Sequence, residues 1–344
     1  MTPFIHFQHG TDIMRHETGV VVPVYLPPDV DTDMGERLLR DNVATFIQQV
    51  AEPSSICLCV DGLECGLDAA RAIADDYNTK ISCAPENKGK LNAVFHGMQT
   101  LLEDTHFRYL AIVDQDGDHF GNELLNAVRS AEHITSHICS DRVMVLGQRR
   151  SRHRPMGFLR GELEELADRV LMDVLLYRAT ITDKPLRLEY TLLMDEYPDF
   201  HSGFKLFDRA TAESIFQSKP DLAGVSESCY FRHGVESVLT VEALEAGAYL
   251  GAFTRSTVNE QPLTTFGLFN RIQLVADKII WPSRRLKIPH HFIRQWMANH
   301  MPRLLLSTMV PEGKDELIKI RDAVLEGIGD TTAEDELLFQ PLFV

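Results

Sequence analysis

Three aspartates at alternate positions, Asp114, Asp116 and Asp118, separated by Gln115 and Gly117, follow directly on a run that is wholly apolar over Tyr109 to Val113. Alternate residues of an extended segment share a side, so Asp114 and Asp116 converge on one point beyond the strand that precedes them. Two carboxylates brought that close repel unless a cation lies between them, and an all-oxygen donor pair suits Mg²⁺ or Mn²⁺, which keep positions for substrate phosphates. Asp and Gly are also ordinary loop material. A Ca²⁺ loop of the EF-hand kind is set aside, because the glycine and glutamate spacing it needs is missing.

The elements that position this step alternate along the chain. Val20 to Tyr25, Ile56 to Val60, Lys80 to Cys83, Tyr109 to Val113 and Val143 to Gly147 are short apolar runs rich in β-branched residues and read as strands. Between them helical spacing recurs over Gly35 to Val50, Leu67 to Tyr77, Leu91 to Leu102 and Asn122 to about Glu132. Strand and helix at this rhythm predict an α/β fold with a mostly parallel sheet covered on both faces, whose ligands sit at the carboxyl ends of the strands. The fifth strand runs into a basic cluster, Arg149, Arg150, Arg152, His153 and Arg154. Acid ends one strand and base the next, an arrangement that suits a metal-bound diphosphate, with a solvated charged loop as the plainer reading.

The chain has 344 residues, 44% hydrophobic and 24% charged, enough for one large α/β domain and an appendage. A formal net charge of −16 argues against a nucleic-acid partner, because polyanion binding depends on phosphate neutralisation. Six cysteines lack paired metal-ligand spacing; Cys57 and Cys59 share one strand face as small buried hydrophobes, consistent with a reducing compartment. The first residues have no apolar signal core and no apolar run reaches about 18 residues, so the expectation is a cytoplasmic protein without a transmembrane helix.

Several segments in register resemble the GT-A glycosyltransferases of family 2, and within them the polyprenyl-phosphate sugar transferases of the dolichol-phosphate mannose synthase kind. Val21-Val22-Pro23-Val24-Tyr25 is similar to their opening strand, Asp61-Gly62 with Asp68 to the second-strand acidic step, and Asn87-Lys88-Gly89-Lys90 with Ala93 and Gly97 to the N-x-G-K signature. Asp114-Gln115-Asp116 corresponds to the metal-binding D-x-D and His119 stands where the mannose synthases often have His. Val145-Leu146-Gly147-Gln148-Arg149, the helix from about Gly161 to Leu176, Asp199 to Phe207, and Glu236 with Glu242 to Gly247 continue the series to about residue 255. The sequence departs from the pattern at Asp118, where the mannose synthases have Gln, and over Asn259 to Gly267, which lacks their R-x-x-G-x-S-K.

The resemblance implies a leader over 1–19, a GT-A domain over 20–257 and a helical extension over 258–344. It implies Mn²⁺ or Mg²⁺ on Asp114 and Asp116, and a UDP- or GDP-sugar donor held by Pro23, Tyr25, Asp61, Lys90, Asp114 and Arg149. Ser202, Gly203 and Phe204 would line the acceptor side. Asp199 and Glu236, together with Asp195 and Glu196, are the carboxylates able to act as base toward an acceptor hydroxyl, whereas an acceptor phosphate needs none. The acceptor stays open between a polyprenyl phosphate, a glycan and a small molecule, and inversion is what the family implies. The leader is expected to be flexible or an edge strand. In the extension, Ile272, Leu274, Val275 and Ile279 read as a helix, and Arg284, Arg285, Arg294 and Arg303 give a basic face. Such a face lies on a membrane or, as is commoner, packs on its own domain or in a homo-dimer. Two other function classes are weighed. A sugar-nucleotide nucleotidyltransferase wants a glycine-rich loop after the first strand, where Pro27-Pro28-Asp29 stands; a non-catalytic nucleotide-sugar-binding protein has no need of the aspartate pair.

Overall fold

The computed structural model describes residues 7–27, 31–138, 140–191, 197–258, 260–261 and 270–330. Pro28, Asp29, Cys139, Asp195, Glu196, most of the 259–267 segment and the acidic tail around Glu334 lie outside the described residues.

Among the described residues seven strands form one sheet: β1 (Thr18–Val24), β2 (Ile56–Asp61), β3 (Lys80–Ala84), β4 (Tyr109–Ile112), β5 (Val143–Arg149), β6 (Lys205–Asp208) and β7 (Tyr249–Arg255). Their order is β3-β2-β1-β4-β6-β5-β7. Of these, β6 alone runs antiparallel to its neighbours, pairing Lys205 with Ile112 of β4 and with Leu146 of β5. The helices are α1 (Phe7–His16), α2 (Thr32–Ile47), α3 (Leu67–Tyr77), α4 (Lys90–Leu102), α5 (Leu124–Ile138), α6 (His153–Thr182), α7 (Arg209–Phe216), α8 (Val235–Glu245), α9 (Arg271–Arg285), α10 (His290–His300), α11 (Leu306–Met309) and α12 (Gly313–Ile328). This mostly parallel sheet with helices on both faces is the α/β class that the alternation of strands and helices predicts, and further helices follow it.

The pleat sorts the core into two layers. Val20, Val22 and Val24 of β1 face a cluster with α1, α2, α3 and α5, whereas Val21 faces the other, with α4 and α6 to α12. Cys57 and Cys59 point with Val21, fully buried. Their size matters there: a Cβ on Gly97 of α4 would lie 2.3 Å from Cys59 Sγ, so the helix seats on the sheet only because both residues are small.

The leader differs from expectation. Residues 7–16 form a helix that buries Ile13 and Met14, with Gly10 against the side chain of Arg129 on α5. Its pattern is short, and packing rather than local propensity decides it. The long helix α6 starts and ends beyond its expected limits and is broken at Gly157, whose φ of 75° is left-handed.

The extension is not a separate body. Leu274, Val275, Ile279, Ile280 and Trp281 of α9, and Leu317, Ile320 and Val324 of α12, share one core cluster with α4, α6 and α8. Three of the four arginines of its basic face are spent within the chain: Arg284 Nε donates to the Gly327 carbonyl at 2.7 Å, Arg285 pairs with Glu242 at 2.7 Å and Arg294 with Asp330 at 2.8 Å, whereas Arg303 is exposed. Among the described residues no helix is long and apolar enough to cross a membrane.

Candidate active site

A cavity of about 250 Å³ opens at the carboxyl ends of the parallel strands. Each of β1, β2, β4, β5 and β7 contributes from its end: Pro23 and Tyr25, Asp61, Asp114 and Asp116, Arg149, and Arg255 all line it. Lys90 from the first turn of α4, Gly203, and Glu236 from the first turn of α8 complete the set.

Asp114 is the hub. Its Oδ1 lies 2.6 Å from Lys90 Nζ, and the same ammonium reaches Glu236 Oε1 at 2.9 Å. Burial pushes the Asp114 carboxyl up, but the Lys90 ammonium, helped by Arg255, outweighs it and holds the group well below the usual carboxylate range. Lys90 is correspondingly held charged, its burial cost outweighed by the two carboxylates. The backbone around Asp114 is pinned three ways. Its N–H donates to His119 Nδ1 at 2.8 Å, its carbonyl accepts from Asn42 Nδ2 at 2.6 Å, and next to it Gln115 bonds both the N–H and the carbonyl of Tyr25. Since His119 Nδ1 accepts, that ring is neutral at this nitrogen, and burial followed by Arg255 keeps it so. Gly203 is required for space, because a Cβ there would lie 2.1 Å from Asp114 Oδ2.

Asp116 is the contrast. Its oxygens accept from Asp118 N and from Gln261 Nε2, each at 3.1 Å, and among the described residues no cation lies within ion-pair distance of it. Burial, then the charge of Asp114, push its carboxyl up to about 7. A divalent cation fits this donor set. Asp116 is a half-buried acid raised by its surroundings, Asp114 stands two residues before it, and two carboxylates are the protein share that Mg²⁺ or Mn²⁺ commonly takes.

The remaining sequence candidates divide. Asp61 lines the cavity, yet its carboxylate also holds the loop that carries Lys90, accepting from Lys88 N at 3.2 Å and Gly89 N at 2.8 Å. Arg149 lines it too, but its guanidinium is bound to Asp199 through Nε at 2.7 Å and Nη2 at 2.5 Å, and to Glu164 at 3.0 Å. Asp199 is fully buried, and although burial opposes ionisation, Arg149 and then Arg152 hold it well below the carboxylate range. It is a fixed counter-charge behind the wall. Ser202 and Phe204 also stand behind the lining: Ser202 Oγ donates to the Gly147 carbonyl at 2.6 Å, and Phe204 packs edge-on against Phe253.

Two groups escaped the sequence reading. Arg255, 2% exposed at the end of β7, donates through Nη1 to the Asp118 carbonyl at 2.8 Å and carboxylate at 3.0 Å, and through Nε to the Gly147 carbonyl at 3.2 Å. It ties the aspartate loop to the end of β5. The signal was available: like Asp61 and Arg149, it is a charge ending an apolar strand. The second is a histidine and carboxylate pair, His233 and Asp277, joined at 2.6 Å.

Fold and site together define an α/β protein whose charged cavity sits at the carboxyl ends of a mostly parallel sheet. No family model matches the chain. Kinesin-like protein KIF11 of Mus musculus is 32% identical over 102 residues, so that the match spans 29% of this chain and 9% of that protein. Among solved structures, glucosyl-3-phosphoglycerate synthase from Mycobacterium tuberculosis in complex with phosphoglyceric acid is 14% identical, covers 84% of this chain and 87% of that chain, and gives a TM-score of 0.49. The mannosyltransferase PcManGT from Pyrobaculum calidifontis in complex with GDP-Man and Mn²⁺ is 14% identical over 96% and 84%, at 0.46. TarS from S. aureus is 13% identical over 91% and 89%, at 0.42. Likeness this distant assigns no residue a role.

Proposed function

We propose that this protein is a metal-dependent glycosyltransferase of the family 2 kind, moving a sugar from a UDP- or GDP-sugar to an acceptor with inversion. One observation carries the reading: the segments that resemble the family, scattered between residues 23 and 236, deliver Pro23, Tyr25, Asp61, Lys90, Asp114, Asp116, Arg149, Gly203 and Glu236 to a single cavity. Asp116 and Asp114 would hold Mn²⁺ or Mg²⁺, which when bound supplies Lewis-acid stabilisation of a leaving diphosphate. The chain's own residues do the rest. Lys90 places a permanent positive charge beside Asp114, and the first-turn amides of α4 add a favourable dipole for an anion. Tyr25, pinned by Gln115, and Asp61 shape the nucleotide end. Arg149, its guanidinium committed to Asp199 and Glu164, shapes the wall of the cavity rather than supplying an uncompensated charge.

The test is thermal stabilisation by a panel of UDP- and GDP-sugars with Mn²⁺, followed by detection of nucleoside diphosphate released. A shift with release from one donor class is expected. Pyrophosphate formed from a nucleoside triphosphate and a sugar phosphate would replace this reading with a nucleotidyltransferase, and binding with no release under any acceptor pool would favour a binding protein.

A further inference from the structure

In a chain of net charge −16, an anionic substrate meets positive charge only where the protein has not already neutralised it. Lys90, Arg149, Arg160, Arg255 and Lys278 line the cavity, and each lies within ion-pair distance of a carboxylate. Lys90 is shared by Asp114 and Glu236, Arg255 is on Asp118, and Arg149, Arg160 and Lys278 are all on Glu164. Arg232 is the exception. It lines the same cavity half-buried, and among the described residues no carboxylate lies within ion-pair distance of it. Its Nη2 donates to Asn87 Oδ1 at 2.7 Å and to the Asn87 carbonyl at 3.4 Å, both neutral acceptors. A guanidinium has five N–H donors and stays charged, so these two bonds through one nitrogen leave its Nε and Nη1 donors without an acceptor among the described residues.

The backbone fixes where this charge stands. Arg232 belongs to a π-helical turn, Ser228–His233, a rare form that recurs at functional sites. The turn sits directly on the loop before α4: a Cβ on Gly89 would lie 2.5 Å from the Phe231 carbonyl oxygen and 2.6 Å from Arg232 Cα. Lys88 on Glu227 at 3.1 Å ties the same loop to the start of the turn. Residues 87–89 thus meet Arg232 through Asn87 and Asp61 through the Lys88 and Gly89 amides, which sets the guanidinium at the nucleotide end of the cavity, next to Lys90. A nucleoside diphosphate is multiply anionic, and its charge grows as the sugar departs. Asp114 and Asp116 offset the charge of any divalent cation they hold, and Lys90 is already divided between two carboxylates. The uncompensated positive charge is that of Arg232, in a fork that matches phosphoryl oxygens.

We infer that Arg232 is a phosphate-recognition residue of the cavity, its guanidinium donating to phosphoryl oxygens of a substrate while Asn87 holds it in place. This rests on the glycosyltransferase reading. The phosphate belongs to the donor's diphosphate, and a phosphate carried by the acceptor is the other source of the same chemistry.

The test is calorimetric titration into the native protein, Arg232→Gln and Asn87→Asp, the last of which sets a carboxylate on the guanidinium and leaves Arg232 itself unchanged. The probes are UDP, GDP and their nucleosides, with and without Mn²⁺, and inorganic phosphate added to protein saturated with the diphosphate it binds. Affinity for that diphosphate is expected to fall about tenfold or more in both variants, with and without Mn²⁺. Affinity for the corresponding nucleoside stays within about threefold of native, whereas a merely structural role would move both alike. Added salt weakens diphosphate binding more steeply in the native protein than in Arg232→Gln. Unchanged diphosphate affinity, with inorganic phosphate bound by the native complex and lost in both variants, assigns the group to the acceptor's phosphate. Native-like affinity of Arg232→Gln for both probes overturns the inference, as does an equal loss for nucleoside and diphosphate. Should Arg232→Gln not fold, Asn87→Asp decides by the same criteria. A native protein that binds no nucleotide removes the glycosyltransferase reading and this inference with it, a different and separately visible result.

Discussion

Gly203 shows how narrowly the site is specified at the scale of one residue. A Cβ added there would lie only 2.1 Å from Asp114 Oδ2, so alanine must displace the carboxylate that Lys90 holds. Gly203→Ala is expected to stay folded and to lose about tenfold or more in Mn²⁺-dependent nucleotide binding, measured by calorimetry; unchanged binding would show that Asp114 is not part of the site. Lys205 gives a pH prediction. It is wholly buried on β6, its ammonium donating to the carbonyls of Phe200 and Ser202, and burial pulls it down from 10.5 to about 8 despite the opposing charge of Glu236. Between those two values the unfolded chain binds the proton that the folded one has lost, so stability rises with pH across that window. Relative to Lys205→Met, the native protein should gain roughly 3 kcal/mol between about pH 8 and pH 10.5, read from urea melts. A flat difference would mean that the ammonium is not desolvated. Asp114, Asp116 and Lys90 were legible as candidates because their spacing is local. The Arg255 to Asp118 contact was not, since it joins residues 137 positions apart, and neither was the exhaustion of Arg149 by Asp199, which no spacing announces.

At the scale of elements, the alternation of apolar runs and helical spacing carried most of the sheet, because buried parallel strands must read as continuous apolar segments. The antiparallel insertion of β6 between β4 and β5 was not legible, as pairing partners are a matter of tertiary contact. Helices α1 and α12 were missed for the same reason: their apolar stripes mean something only against α5 and α9. The boundary drawn at 257 marks a change of sequence pattern rather than a seam in the fold, since α9 supplies Trp281, fully buried and donating through Nε1 to the Asp221 carbonyl at 3.0 Å. Two outcomes follow. Trp281→Ala should cost roughly 3–5 kcal/mol in chemical denaturation, and a chain cut after residue 257 should fail to give a cooperative unfolding transition. A truncated chain that melts like the whole would show the extension to be dispensable.

At the scale of the whole molecule, a net charge of −16 coexists with a cavity in which Lys90 is matched to Asp114 and Glu236, Arg149 to Asp199 and Glu164, Arg255 to Asp118, and Lys278 to Glu164. Asp116 takes no part in this matching, and it sits where the strand ends converge. The decisive experiment is calorimetric titration of UDP and GDP, with and without Mn²⁺, into the native protein and Asp116→Ala. One nucleotide should bind the native protein about tenfold or more tightly with Mn²⁺ than without, and the variant should lose that metal dependence. Binding of neither nucleotide to the native protein, or equal metal dependence in Asp116→Ala, would contradict the site as drawn.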